Sequence, residues 1–262
     1  MTPSLAESND KHTRESITWV HTWTPTLFSF RTTRPKSFRF TAGQFARLGV
    51  EKADGSVAWR AYSMASGPFD EFLEFFSIVV PGGEFTSELS RLKVGDSLLI
   101  DKTNHGFLTL NRFTPSDHLW LLSTGTGLAP FLSMLWDPVT WESFQKIILV
   151  HSVRIKAELA YRETITGFAN HEVFSEVAHK LVYLPVITRE PQPNGLHDRI
   201  TTLIQTGALE RAASTPFDLD KSRFMLCGNP EMVSQTRGLL KDRGFRTSRQ
   251  ATAGQIAVEN YW

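Results

Sequence analysis

The strongest constraint on the fold is a change of pattern near the middle of the chain. Up to about Asn111, apolar residues fall in short β-rich segments at 17–22, 27–32, 45–50, 58–63, 72–80 and 97–100, with one short helical stretch near 84–92. Strands at that spacing, broken by turn residues, read as an antiparallel barrel or sandwich. From Leu119 onward, apolar runs at 119–122, 146–150, 180–187 and 223–226 alternate with amphipathic stretches such as 158–168 and 231–240. That alternation predicts a parallel sheet covered by helices. Phe113-Thr114-Pro115-Ser116-Asp117 interrupts both patterns. The expected organisation is a flexible N-terminal tail over 1–15, an antiparallel β-barrel domain over 16–113 and an α/β parallel-sheet domain over 114–262.

A length of 262 residues suits two modest domains, each with its own core. A formal net charge of +1 argues against a surface built for nucleic acid. No apolar run reaches the length needed to cross a bilayer. The first sixteen residues mix acids, bases and hydroxyls without the apolar centre of a secretion signal. The single cysteine, Cys227, cannot form an intrachain disulfide, which suits a reducing compartment. The expectation is a cytoplasmic monomer. Its eight histidines lack ligand-like spacing to cysteines or carboxylates, so no metal is expected.

Chemistry concentrates in a few turns. Thr124-Gly125-Thr126-Gly127-Leu128-Ala129-Pro130 follows the apolar run ending at Leu122 and leads into a helical stretch. A strand that turns through small residues into a helix leaves backbone N–H groups free at the positive end of the helix dipole, where a pyrophosphate can sit. Glycines in such a connection also serve tight packing, and both readings stand at this point. Pro130 occupies the third position of the dinucleotide fingerprint, which disfavours a full Rossmann dehydrogenase. In Cys227-Gly228-Asn229-Pro230-Glu231, asparagine suits the N-cap, proline the first helical position and the acid the dipole. Both turns are expected at the carboxyl ends of parallel strands, where open α/β sheets bind ligands. In the first half, Arg60-Ala61-Tyr62-Ser63 ends a strand and Gly82-Gly83-Glu84-Phe85-Thr86-Ser87 opens a helix. An arginine, helix-start N–H groups and two hydroxyls offer a second pyrophosphate site, and Tyr62 a flat face for an aromatic ring.

These motifs, in this order and with the ending Val258-Glu259-Asn260-Tyr261-Trp262, resemble the ferredoxin/flavodoxin-NADP reductases of the compact bacterial type. The resemblance runs from about Ser16 to Trp262. It implies a barrel that holds FAD and an α/β domain that holds NADP(H), with the flavin at their junction. Arg60 and Thr86 would contact the FAD pyrophosphate, Tyr62 would stack on the isoalloxazine and Ser63 would hydrogen-bond near its reactive edge. Ser77, Ile78 and Val80 would line the cofactor, with Ala61, Phe85, Ser87 and Thr126 completing the set. Tyr261 and Trp262 would pack on the FAD adenine, although a final residue also reads as a frayed end.

The same resemblance gives Thr124, Gly125, Gly127, Gly228 and Asn229 to NADP. Arg154 follows the second strand of the α/β half, where an NAD-selective pocket would present a carboxylate. The resemblance adds Arg189 and Arg199 as phosphate contacts; each arginine alone also reads as a solvated charge. Cys227 would shape the approach of nicotinamide, or else be a small buried hydrophobe. Glu259 matches an acidic position that assists proton delivery, or is a solvated carboxylate near the chain end. Arg237, Lys241, Arg243, Arg246 and Arg249 form a basic segment that reads equally as a solvated face or as a surface steering an acidic carrier.

The implied activity is electron exchange between NADPH and ferredoxin or flavodoxin. The same fold also suits reduction of free flavin, quinone or another small acceptor. A binding module that senses redox state without turnover is the reading from another class.

Overall fold

The computed structural model describes residues 11–191, 193, 195–249 and 252–259. The first half contributes β1 (His12–Thr24), β2 (Leu27–Thr33), β3 (Phe45–Glu51), β4 (Val57–Ser63), β5 (Phe72–Ile78), α1 (Glu84–Leu89) and β6 (Ser97–Asp101). The six strands form one antiparallel sheet in the order β4-β3-β6-β1-β2-β5, and a bridge between Met64 and Phe75 joins its two edges into a barrel. Phe30, Leu48, Met64, Leu73 and Phe75 fill the interior, and α1 inserts Phe85 and Leu89 as a plug. Burying side chains of this size contributes about 1.5–3 kcal/mol each.

β1 begins inside the stretch expected to be a tail. Residues 12–16 pair antiparallel with β6, from His12 opposite Asp101 to Ser16 opposite Ser97. This segment is too polar to announce a strand; backbone pairing and the Arg14–Glu51 ion pair at 2.5 Å hold it instead. β5 stops at Ile78 rather than Val80, because the Val80 N–H turns to Thr86 Oγ1 at 3.0 Å.

The second half contains β7 (His118–Thr124), α2 (Ala129–Leu135), α3 (Pro138–Ser143), β8 (Lys146–Val153), α4 (Arg162–Gly167), β9 (Leu181–Ile187), α5 (Ile200–Gln205), α6 (Ala208–Ala213), β10 (Ser222–Cys227), α7 (Pro230–Asp242) and β11 (Ile256–Glu259). The sheet is parallel, in the order β11-β10-β7-β8-β9. Leu119, Leu121, Ile147 and Leu149 pack with Phe131, Trp141 and Phe168 on one face. Trp120, Leu122, Ile148 and Val150 pack with Ile204, Leu240 and Phe245 on the other. Burial on both faces explains why these strands read as unbroken apolar runs.

The crossing between the two sheets is held by a buried cation. Arg223, 6% exposed, donates to the Thr114 carbonyl (3.3 Å), Thr114 Oγ1 (3.0 Å) and the Asp220 and Ser222 carbonyls (3.0 Å each).

Candidate functional site

β7 and β10 are neighbours in register, with Cys227 opposite Ser123, so their two glycine-bearing turns leave the sheet side by side. A Cβ on Gly127 would collide with the Cys227 carbonyl, and one on Gly228 (φ +129°) with the side chain and backbone of Thr124. These two glycines therefore serve close backbone packing. Gly125 differs: at φ +52° it needs glycine, yet a Cβ there would meet nothing within 4 Å, so its free side faces open space. The packing reading holds at Gly127 and Gly228, while Gly125 leaves the turn uncovered on its outer side.

Thr124 Oγ1 accepts the Asn229 N–H at 2.7 Å, and Asn229 Oδ1 caps α7 by accepting from the Glu231 and Met232 N–H groups at 2.9 and 3.1 Å. The Asn229 carbonyl oxygen is thus committed to the helix. Between β7 and α2 runs a 3₁₀ turn over 125–128, and α2 has only seven residues. A helix so short adds little dipole; the 13-residue α7, which begins at the same cleft, and the arginines supply positive potential there.

A cleft of about 420 Å³ opens above these turns. Thr124, Gly125, Thr126, Gly228 and Asn229 line it from one side, and Arg154, Arg189 and Arg199 from the other. Leu27 and Ile78 reach it from the barrel, so both domains share the cleft. Thr126, assigned to FAD by resemblance, stands beside the nucleotide turn here.

The three arginines are not equivalent. Arg154 is clamped by Glu158, with its Nε at 3.0 Å and a terminal nitrogen at 2.5 Å from Oε1, while its backbone N–H takes Oε2 at 3.0 Å. Burial pushes the Glu158 carboxyl up, but the Arg154 hydrogen bonds outweigh it and hold the group below its ordinary range. For Arg189 and Arg199 no carboxylate partner appears among the described residues, which leaves them with uncompensated charge toward the cleft. Sequence reasoning missed Glu158. The four-residue spacing from Arg154 was the available signal, obscured because the intervening backbone is a 3₁₀ turn rather than an α-helix.

On the barrel, Arg60, Ala61, Tyr62 and Ser63 end β4, and Ser77 and Ile78 end β5. The Tyr62 hydroxyl and Ser77 Oγ are 2.8 Å apart, and the ring leans on Phe85 with centroids 5.4 Å apart. Burial pushes the phenol up to about 12, with Ser77 and Arg60 opposing, so it stays neutral. This hydrogen bond and ring contact fix an aromatic face at the sheet edge. Phe85, expected to touch the cofactor, is 2% exposed in the barrel core and supports Tyr62 from behind. Thr86 Oγ1 closes the turn from Val80, while Ser87 donates its N–H to the Gly83 carbonyl at 3.1 Å. Gly82, at φ +72° with nothing within 4 Å of a Cβ position, leaves this turn open as Gly125 does the other. Arg60 is exposed, its guanidinium donating to the adjacent Trp59 carbonyl at 2.9 Å. An exposed cation, an open glycine turn and an anchored ring fit FAD; three arginines around a second open turn fit NADP(H).

At the junction, β11 pairs with β10 so that Glu259 lies opposite Cys227. Glu259 is 9% exposed rather than solvated, and a Cβ on Gly106 would come within 2.8 Å of its Oε1 and 2.9 Å of the Phe45 ring. Phe45 is in turn the β3 partner of Ser63. Glu259 and the Phe45 ring thus both close on Gly106, and Cys227 is fully buried at the neighbouring strand end. Tyr261 and Trp262 lie outside the described residues.

His151 was not singled out from sequence. It is fully buried on β8 between Ser123 and Pro185, and neither ring nitrogen finds a hydrogen bond of normal geometry. Burial drives its pKa from 6.5 down to about 4, against weaker opposition from the Gly125 backbone and Glu158. The ring is therefore neutral in the fold and gains its proton on unfolding. Stability from this group is complete above pH 6.5 and is lost as pH falls toward 4, at up to about 1.4 kcal/mol per pH unit. Denaturant unfolding at pH 7, 6 and 5 should show that loss, and His151→Leu should flatten it; an unchanged slope in the variant would refute the assignment.

Comparison with known proteins agrees with this division of labour. Residues 20–106 match the oxidoreductase FAD-binding domain model, and residues 121–238 the oxidoreductase NAD-binding domain model. The ferredoxin–NADP reductase of Pseudomonas aeruginosa is 45% identical over 94% of this chain and 95% of its own. The flavodoxin/ferredoxin–NADP reductase of Escherichia coli is 36% identical over 94% of this chain and 97% of its own. The crystal structure of a Neisseria gonorrhoeae ferredoxin NADP+ reductase, with bound FAD and NADP, superposes with a TM-score of 0.90 at 38% identity, covering 97% of this chain and all of that one. On sequence, fold and the residues brought to the cleft, the chain belongs to the ferredoxin–NADP reductase family.

Proposed function

We propose that the chain is an FAD-dependent reductase that exchanges electrons between NADPH and ferredoxin or flavodoxin. The observation that carries the reading is the shared cleft, in which Ile78, one residue from the Ser77 that anchors Tyr62, meets the wall that carries Arg189 and Arg199. Bound FAD supplies the conversion between two-electron exchange with NADPH and one-electron exchange with the carrier.

The chain's own residues arrange the encounter. Arg189 and Arg199 hold the extra phosphate of NADPH by charge-assisted hydrogen bonds. Gly127 and Gly228 let the two turns approach, so the nucleotide lies along the strand ends. Tyr62 presents its ring as a stacking face. Cys227 is a small wall at the end of β10, leaving room for the nicotinamide to lie flat. Ser63 would donate a hydrogen bond at the reacting edge, and Glu259, beside Gly106, would assist proton delivery. The protein works as a cytoplasmic monomer in this reading, and its single cysteine, which cannot form an intrachain disulfide, suits the reducing compartment. No described helix is long and apolar enough to cross a membrane.

Of the basic segment, Arg243 is committed to the fold: it pairs with Glu210 at 2.8 Å and stands over the Phe217 ring at 5.3 Å. Lys241, Arg246 and Arg249 remain exposed to attract an acidic carrier. Stopped-flow reoxidation of the reduced protein should be faster with ferredoxin or flavodoxin than with free FMN or a quinone, and should slow as salt rises. Preference for the small acceptors, with no salt dependence, would overturn the assignment of the carrier. Failure to bind FAD or to oxidise NADPH with ferricyanide would overturn the enzyme reading itself.

A further inference from the structure

Tyr161 and Ser214 are the only non-glycine residues with positive φ among the described residues, and Tyr161, at φ 60°, ψ 10°, directly precedes α4. A bulky side chain disfavours this conformation, so the surroundings must hold it. They do so from the other domain. The Tyr161 hydroxyl lies 2.5 Å from Ser29 Oγ on β2 and 2.7 Å from Glu74 Oε1 on β5. Its single proton goes to the carboxylate, the stronger acceptor. Glu74 Oε2 takes Arg31 Nε at 2.7 Å, its backbone N–H is held by Ser66 Oγ at 3.0 Å, and Ser29 Oγ accepts Trp23 Nε1 at 2.8 Å. The Tyr161 ring packs on Trp23 at 5.0 Å and edge-on to Phe76 at 5.2 Å. Tyr161, Ser29 and Glu74 are all buried.

A buried charged network is a poor source of net stability, since desolvation offsets most of its attraction. What it supplies is direction: several bonds at defined angles permit one placement of the α/β domain on the barrel. Both ends of the network lead to the site. β5 runs from Glu74 through Phe76 to Ser77 and Ile78, four strand steps or about 13 Å, and ends where Ile78 enters the cleft. In the other direction, Tyr161 follows by three residues the Glu158 that clamps Arg154.

We propose that Tyr161 is a positioning residue: an interdomain latch that, through Glu74 and Ser29, sets the separation and alignment of nicotinamide and flavin for hydride transfer. This rests on the reductase reading above, and the two fail differently, because FAD binding and ferricyanide reduction report the reading while the latch is read from rate and exchange. Hydride transfer needs close alignment, and a misplacement near 1 Å costs roughly a hundredfold.

The test compares FAD-loaded wild type with Tyr161→Phe, which keeps the ring and loses the hydroxyl. Ile204→Val, a core change on the far face of the sheet, serves as the control for general destabilisation. Single-turnover mixing with NADPH gives the hydride-transfer rate, mixing with NADP+ the long-wavelength absorbance of stacked rings, and hydrogen exchange the protection of Phe72–Ile78. Expected for Tyr161→Phe are NADPH affinity within about threefold of wild type, transfer slowed about tenfold or more, a weaker long-wavelength band and faster exchange in β5. A transfer rate within about twofold of wild type, or a loss no larger than that of the control at matched stability, would overturn the proposal. Should Tyr161→Phe fail to retain FAD, Glu74→Gln, which keeps the shape and removes the charge, is judged by the same outcomes.

Discussion

Gly228→Ala is expected to raise the Kd for NADPH by about a hundredfold or more while the protein still binds FAD. Two costs fall on one methyl group. At φ +129° an L side chain is strained by about 1–3 kcal/mol. The new Cβ would also overlap Thr124 at its side chain and backbone, where no rotamer change gives relief. Relief requires moving β7 away from β10, which breaks the Thr124–Asn229 hydrogen bond and displaces the start of α7 from the cleft. FAD is held mainly by the barrel turns and is spared. Titration with NADPH by difference absorbance, beside a flavin content measurement, reads both halves. A Kd within about fivefold of wild type would refute the account. Gly125→Ala, where a Cβ meets open space, should carry the strain without the collision and cost less.

The second large effect concerns coenzyme choice. Removing both Arg189 and Arg199 by alanine substitution is expected to lower the ratio of NADPH to NADH kcat/KM by about a hundredfold or more. A hydrogen bond to a charged group is worth about 1.5–3 kcal/mol, or roughly ten- to a hundredfold, and solvent at these exposed side chains reduces each toward the lower figure. Arg154 should matter less, because Glu158 already neutralises it. Arg154→Ala alone is a misleading probe, since it leaves an unpaired carboxylate facing the phosphate. Replacing the pair together, Arg154→Met with Glu158→Gln, should change the ratio by less than about tenfold. If the paired change instead exceeds the double arginine removal, the assignment of the phosphate to Arg189 and Arg199 is wrong.

These positions also show what the chain discloses before folding and what it conceals. The barrel strands and four of the five parallel strands were legible because their apolar spacing matches how they are buried, on one face or on both. The nucleotide turns were legible because glycine at a strand end is a local requirement. β11 escaped notice: Ile256-Ala257-Val258-Glu259 is too short to stand out, and it is a strand because β10 offers it a parallel edge. The polar start of β1 is likewise decided by its partner β6. Short α5 and α6 carry too few turns to show a period. In the site, the three arginines that line the cleft stand out in the sequence, but the neutralisation of one does not. Phe85 looked like a cofactor contact by its place in a motif, and only packing shows it turned into the core. Tyr161 was invisible for a simpler reason: its partners Ser29 and Glu74 are far away in sequence.

The grip of Arg223 on Thr114 bears on how such a molecule can move at all. Had the crossing between the sheets been a loose tether, the halves could drift apart at little cost and meet again in many orientations. Instead the tether is bolted to the base of β10, far from the strand ends where the coenzymes meet. The exit of the chain from the barrel is thereby pinned at one corner of the parallel sheet, opposite the cleft.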